Sequence, residues 1–382
     1  MLKLGGKVIE IRKSTSFDRK LLTVTKKTAI EHQNQYVYLI QNKFVPKDFQ
    51  HYLVLEKYKE YARDIQNLTI LSNEYDYLDD GDIIRLSSDS NSIRVLFRNK
   101  SKNNSFLVTE QCDHFCLMCS QPPKDVDDIY IIEELLELIP LIPKTTASIG
   151  FTGGEPTLLK EKFLLLLNLT KNHLPNTSVH ILSNGRSFKD FNFSKKYSEI
   201  NHQDMMIGIP LYSDIASIHN HIVQSENAFD ETILGILNLK RLNQKVEIRV
   251  VIHKLSIDRL IQLAEFIARN LTFVDHVALM GLEMMGFTRA NIDQLWIDQI
   301  EYKDKLSEAV KIFNNSGLIC SVYNHQLCLV NQDILPNYRK SISDWKNEYA
   351  DECFGCKKIG ECGGFFSSSI KYKYSDHIQP FK

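Results

Sequence analysis

Between residues 104 and 316 the sequence alternates extended and helical patterns, and this rhythm constrains the fold more than any other property of the chain. Candidate strands lie at 106–109, 148–152, 179–182, 205–211, 246–253 and 274–280, each a short apolar run. Helical patterns fall between them at 129–139, 158–173, 228–243, 257–270 and 295–314. Only the third strand is followed by an indistinct helix, near 188–200. Short strands alternating with helices build parallel βαβ units. Six in succession predict an α/β fold, a partial (β/α)6 TIM-type barrel, whose ligands belong at the carboxyl ends of the strands.

Either side of this block the pattern changes. Residues 1–103 read as a β-rich domain with extended runs at 7–11, 36–40, 68–71 and 93–97. Its clearest turn is Asp79-Asp80-Gly81-Asp82, where glycine supplies a positive φ. A polar stretch at 98–105 marks the boundary. From about Gly317 the alternation is lost, and 317–382 reads as a C-terminal cysteine-rich extension organised by metal. Three parts are therefore expected: 1–103, 104–316 and 317–382.

Charge narrows the function. Lys plus Arg is 46 against 47 Asp plus Glu, a net charge of −1, so no overall positive field exists to bind nucleic acid. Residues 1–60 alone carry 12 basic against 6 acidic side chains. That excess reads as a solvated surface, with an acidic partner peptide as the sharper alternative. The longest apolar run, 163–167, falls far short of the roughly 18 to 20 residues that span a bilayer. The first residues lack the apolar core and cleavage site of a signal peptide, so a cytoplasmic chain without membrane contact is expected. In a reducing compartment, clustered cysteines serve as metal ligands or reactive thiols rather than disulfides.

Three of the eight cysteines fall in Cys112-Asp113-His114-Phe115-Cys116-Leu117-Met118-Cys119, directly after the first candidate barrel strand. A structural zinc ion wants four ligands, and only His114 is placed to complete this set. Three thiolates can instead hold three irons of a cubane and leave the fourth iron open to another ligand. Phe151-Thr152-Gly153-Gly154-Glu155-Pro156 follows the second strand. There, two glycines admit close backbone approach, and a carboxylate offers acceptors to an ammonium group. Ser183-Asn184-Gly185 follows the third strand and Ser213 the fourth, while Arg249 and Glu283 point to the same end of the barrel. Asn-Gly is also an ordinary turn. His219 and His221, just beyond Ser213, read as packing or surface residues.

With this Cys-x3-Cys-x2-Cys spacing on the loop after strand one, the chain resembles the radical S-adenosylmethionine (radical SAM) superfamily over about residues 104–290. One position departs: Met118 stands where the family usually carries an aromatic residue, and its polarizable side chain can pack beside a cluster. The resemblance implies a [4Fe–4S] cluster on Cys112, Cys116 and Cys119. It further implies S-adenosylmethionine (SAM) held by Gly153, Gly154 and Glu155, with Asn184 and Ser213 as further cofactor contacts. SAM cleavage to a 5′-deoxyadenosyl radical is the expected activity.

Cys353-x2-Cys356-x5-Cys362, with Cys328 upstream, is a second ligand pattern in the tail. Four thiolates could close an auxiliary [4Fe–4S] cluster or a structural zinc site, and the resemblance favours iron. Cys320, on an extended run, reads as a small buried hydrophobe, with fourth-ligand duty as the alternative. The Cys-Ser-Gln-Pro-Pro-Lys ending of the first motif, Tyr323-Asn324-His325-Gln326-Leu327-Cys328, Ser341-Ile342-Ser343-Asp344-Trp345-Lys346-Asn347 and Cys362-Gly363-Gly364-Phe365-Phe366 look like the His-Xaa-Ser system radical SAM maturases of the HxsC type. The Gly81-Asp82-Ile83-Ile84 turn extends that resemblance into the N-terminal part. It implies a ribosomally synthesised precursor peptide with His-Xaa-Ser repeats, a sister radical SAM maturase and an electron donor. Competing readings are a radical SAM enzyme for a nucleoside, RNA or small molecule, and a non-catalytic, metal-stabilised peptide-recruiting module.

Overall fold

The computed structural model describes residues 3–12, 21–28, 35–47, 49–87, 90–340 and 347–382. The resemblance segment 341–346 lies outside them. By contacts the chain divides into two compact units, one of Met1–Phe106, Glu133–Ser148 and Leu169–Thr177, the other of Leu107–Ile132, Ile149–Asn168 and Ser178–Lys382.

The first unit is built on eight strands: β1 (Gly5–Lys7), β2 (Glu10–Arg12), β3 (Leu21–Thr25), β4 (Tyr36–Ile40), β5 (Tyr52–Leu55), β6 (Leu68–Leu71), β7 (Ile83–Ser87) and β8 (Ser92–Phe97). Their order in the sheet is β1-β8-β7-β3-β4-β5-β6-β2. The two edge strands are thus neighbours in the chain, separated only by Val8 and Ile9, which requires the sheet to curl until its edges approach. Its interior holds Leu22, Val37, Leu53, Leu71, Tyr75 and Ile84, all almost fully buried. The run 7–11, expected as one strand, is divided by this closure: Gly5–Lys7 pairs with β8, and Glu10–Arg12 with β6.

The second sheet has seven strands in simple sequential order: β9 (Asn104–Leu107), β10 (Ser148–Thr152), β11 (Ser178–Leu182), β12 (Met205–Pro210), β13 (Lys245–Ile252), β14 (His276–Gly281) and β15 (Cys320–Tyr323). The registers from β11 through β15 are all parallel. This is the expected α/β half-barrel, its parallel sheet curled, with one strand more than the six read from sequence. Between the strands run α1 (Ile129–Leu138), α2 (Lys160–His173), α3 (Phe191–Glu199), α4 (Ala216–Val223), α5 (Ala228–Arg241) and α6 (Leu260–Asn270). After β14 come α7 (Phe287–Ala290), α8 (Ile292–Leu295) and α9 (Gln299–Asn315). The indistinct third helix is α3, whose start is fixed by the Asp190 side chain accepting from the Asn192 amide. A capping box between Asp298 and Glu301 starts α9.

Beyond β15 the chain folds mainly into short 3-10 turns. They surround a small apolar cluster of Leu329, Ala350, Phe365 and Ile378, against which Cys328 and Cys353 pack. No described helix is long and apolar enough to cross a membrane.

Candidate active site

After β9 the chain enters the cysteine loop, which is tied down from three sides. Asp128, almost wholly buried, accepts from Thr109 Oγ1 at 3.0 Å and from the Glu110 amide. The Phe115 and Leu117 amides each donate at 3.0 Å, to the carbonyls of Val223 and Ile222 at the end of α4. On the third side, the Phe287 amide reaches the Cys119 carbonyl at 2.8 Å, and Thr288 Oγ1 reaches the Met118 carbonyl at 3.1 Å. Backbone bonds and buried side chains together therefore set where the three sulfurs stand.

The glycine pair after β10 is required by this same loop. The Gly154 amide donates to the Thr109 carbonyl at 2.8 Å, and the Glu155 amide to the Gln111 carbonyl at 2.7 Å. A Cβ at Gly153 would lie 2.4 Å from the Thr109 carbonyl oxygen, and one at Gly154 only 2.0 Å from that of Gln111. No side chain fits, so the two strand-end segments touch backbone to backbone.

Cys112, Cys116 and Cys119 line one cavity of ≈ 290 Å³ together with Gly153, Gly154, Asn184, Arg249 and Glu283. Burial pushes the Cys112 thiol up to about 12 and also raises those of Cys116 and Cys119. Such thiols become ligands when a metal displaces the proton. Among the described residues no three His, Cys, Asp or Glu side chains converge on a position for one ion. A cubane spreads its thiolates over separate irons, and three thiols lining one cavity are the donor set it requires.

Not every candidate reaches the cavity. The Glu155 carboxylate is 1% exposed and accepts from Thr157 Oγ1 (2.5 Å) and its amide (3.0 Å), Ser183 Oγ (2.8 Å) and the Asn184 amide (2.5 Å). It ties the ends of β10 and β11 together, while its glycine neighbours face the cavity. Ser213 is fully buried, its Oγ accepting from the Ile215 amide at 3.1 Å, and it is Tyr212 that lines the cavity instead. His219 Nδ1 accepts from the Tyr212 amide at 3.2 Å, a packing role, and His221 is exposed on α4.

Sequence reading missed a polar bridge to the cysteine loop. Asn184 Nδ2 donates to Asp113 Oδ1 at 2.6 Å, and Arg186 pairs with Asp113 Oδ2 at 3.1 Å and with Glu231 Oε2 at 2.7 Å. An acidic residue inside the cysteine motif and a basic one just past Asn-Gly were the available signals. In the tail, Cys328, Cys353, Cys356 and Cys362 line one small cavity. The Leu327 and Gly364 amides donate to Cys362 Sγ, and the Phe381 amide to Cys356 Sγ, each at 3.4 Å. Cys320 is elsewhere, buried on β15, its thiol pushed by burial to about 12.

Residues 106–267 match the Radical SAM superfamily. The solved structure of native anSMEcpe with bound AdoMet is 14% identical, with a TM-score of 0.52 over 73% of this chain and 92% of that one. Streptococcus suis SuiB bound to S-adenosylmethionine is 16% identical (TM-score 0.47, 58% of this chain and 50% of that one). The chain thus spans about half the length of SuiB. Escherichia coli HemN, a coproporphyrinogen III oxidase described as a radical SAM enzyme, is 13% identical (TM-score 0.44, 58% and 54%). No curated protein matches. The family match covers less than half of the chain, residues 106–267, and the likeness to anSMEcpe shows a shared fold.

Proposed function

We propose that this cytoplasmic enzyme modifies a ribosomally synthesised precursor peptide carrying His-Xaa-Ser repeats, together with a sister radical SAM maturase and an electron donor. The observation that carries the radical SAM part is the set of three thiols on one hydrogen-bonded loop, lining a cavity that the adjoining Gly153-Gly154 backbone also lines. In this reading Cys112, Cys116 and Cys119 hold a [4Fe–4S] cluster. Gly153, Gly154 and Asn184 face the cofactor, Glu155 holds the Asn184 amide in place, and Ser213 sits buried just beyond β12, its hydroxyl accepting from the Ile215 amide. Such a cluster, when bound, supplies the electron that cleaves SAM for hydrogen abstraction from a substrate carbon. The chain's own part is placement and exclusion of water: Met118, Tyr212, Ile222 and Leu295 pack with Leu117 as an apolar wall behind the loop. Cys328, Cys353, Cys356 and Cys362 hold an auxiliary [4Fe–4S] cluster, and the three parts 1–103, 104–316 and 317–382 act as one enzyme.

Support for a peptide substrate comes from the quoted sequence resemblance. SuiB has been solved with its precursor peptide SuiA, and anSMEcpe with the Cp18Cys peptide, and what those proteins bind is extended to this chain only by that analogy. The test is anaerobic reconstitution with iron and sulfide, reduction by dithionite in the presence of SAM, and co-expression with a short His-Xaa-Ser repeat peptide followed by mass analysis. Release of 5′-deoxyadenosine and a mass change on the peptide are expected, both lost in Cys116→Ala. A Cys116→Ala protein that released 5′-deoxyadenosine at the wild-type rate would refute the cluster assignment. An unmodified peptide beside active SAM cleavage would refute only the substrate.

A further inference from the structure

His114 lies two residues from Cys112 and two from Cys116, lines the same cavity and is 3% exposed. Neither Nδ1 nor Nε2 has a hydrogen-bond partner. In any protonation state an imidazole carries at least one N–H donor, and leaving such a group buried and unpaired is unfavourable. Buried polar atoms in native proteins are overwhelmingly satisfied, so this ring calls for a partner that enters the cavity.

The protein around it supplies none. Asp113, Arg186 and Glu231 act on the ring only through their charge. Asp113 is already engaged by Asn184 and Arg186, and Glu231 by Arg186 and Lys189. His219, on which the His114 charge acts, accepts from the Tyr212 amide at Nδ1, and its own Nε2 has no hydrogen-bond partner. What the cavity offers instead is sulfur. His114 lines this cavity together with Cys112, Cys116 and Cys119, and its backbone amide donates to Cys112 Sγ at 3.4 Å.

We infer that the His114 imidazole N–H donates a hydrogen bond to a sulfur of the cluster held by Cys112, Cys116 and Cys119, and thereby raises its reduction potential. The inference rests on the cluster assignment proposed above. A donor aimed at cluster sulfur stabilises the extra negative charge of the reduced state, and hydrogen bonding to the sulfurs is one of the main settings of such potentials. His114 is thus a tuning residue, distinct from the three ligands.

The test compares wild type with His114→Phe and His114→Gln, each reconstituted anaerobically without SAM and titrated with redox mediators under EPR detection. Phe keeps the ring volume and removes the donor, whereas Gln keeps an amide N–H near the position of Nε2. Expected is a roughly tenfold fall in the reduced-to-oxidised ratio of His114→Phe at a fixed applied potential, equivalent to about 59 mV for one electron. His114→Gln should recover most of it. Should His114→Phe bind a full cluster with the wild-type potential, or should Gln shift it as far as Phe, the inference fails. If Phe prevents cluster assembly, the Gln variant and a His114→Leu variant decide by the same comparison. Failure of the wild type to assemble any cluster would instead sink the underlying cluster assignment.

Discussion

Acid should unfold this protein well above the pH at which its carboxylates protonate, because several histidines are buried without charge. Burial lowers His51 to about 4, His219 and His253 to about 3, and His325 to about 4. In the unfolded chain each titrates near 6.5. The unfolded state therefore binds more protons throughout this interval. The stabilisation is fully present above pH 6.5 and is lost as the pH falls towards the folded values. Between pH 7 and pH 5 each histidine removes just under ~2 kcal/mol, and the four together about 7, against a typical total of about 5 to 15. Glu134, Glu155 and Asp82, raised by burial, work in the opposite direction and offset part of this loss. A variant isolates one term from that background. His253 has no partner on either ring nitrogen, so His253→Phe removes a titrating group without removing a bond. Urea unfolding of the metal-free protein, followed by circular dichroism at pH 7, 6 and 5, should show wild type losing about 2 kcal/mol more than His253→Phe over that range. Any constant penalty from repacking cancels in the comparison. Parallel pH curves for the two proteins would refute the claim that His253 is held neutral.

Three further outcomes test the packing. The Glu134 side chain is 1% exposed and pairs with the mostly buried Arg85 at 2.5 Å and with the exposed Arg94 at 2.9 Å, so Glu134→Ala should cost about 1 to 3 kcal/mol in chemical denaturation by leaving Arg85 only Glu137, 3.6 Å away. Gly154→Ala places a methyl group where the Gln111 carbonyl stands, and reconstituted protein should lose iron at the loop site while the tail retains its own, as read by iron analysis and EPR. Removing all three loop cysteines should leave a tail-bound cluster with its own visible absorbance, whereas a colourless, zinc-containing protein would show the tail to be a zinc site.

The half-barrel was legible because apolar period and length carry it: all six expected strands formed, and the run holding Cys320 became the seventh, β15. Closure of the N-terminal sheet was hidden, since the alternation in 7–11 runs on without a break. Nothing local says that Lys7 will pair with Ser92 and Glu10 with Ile70. Within the site, the three thiols and the glycine pair expected from spacing line one cavity, whereas the Glu155 carboxylate is engaged by neighbours that spacing does not show. A carboxylate after two glycines reads as a cofactor acceptor until Ser183 and the Asn184 amide, nearly thirty residues away, are seen to occupy it. The partnership of Arg186 with Asp113 spans 73 positions and has no periodic signature at all.

These long-range contacts have a common effect, and it explains how the loop can be both exact in position and open to a ligand. Glu155, Asp113 and Asp128 are each taken up by neighbouring segments: Ser183 and Asn184 for the first, Asn184 and Arg186 for the second, Thr109 and Glu110 for the third. Acidic groups bound to donors from other segments hold the loop from behind, so the cavity face can be left to sulfur, glycine backbone and an unpaired imidazole. A cluster-binding loop supported this way keeps its geometry before metal arrives. On that reasoning Asp128→Asn, which weakens the tie to the Glu110 amide without touching a ligand, should slow cluster assembly in a time course of iron uptake while leaving the final iron content unchanged. Unaltered assembly kinetics would show that the loop is ordered by the cluster rather than in advance of it.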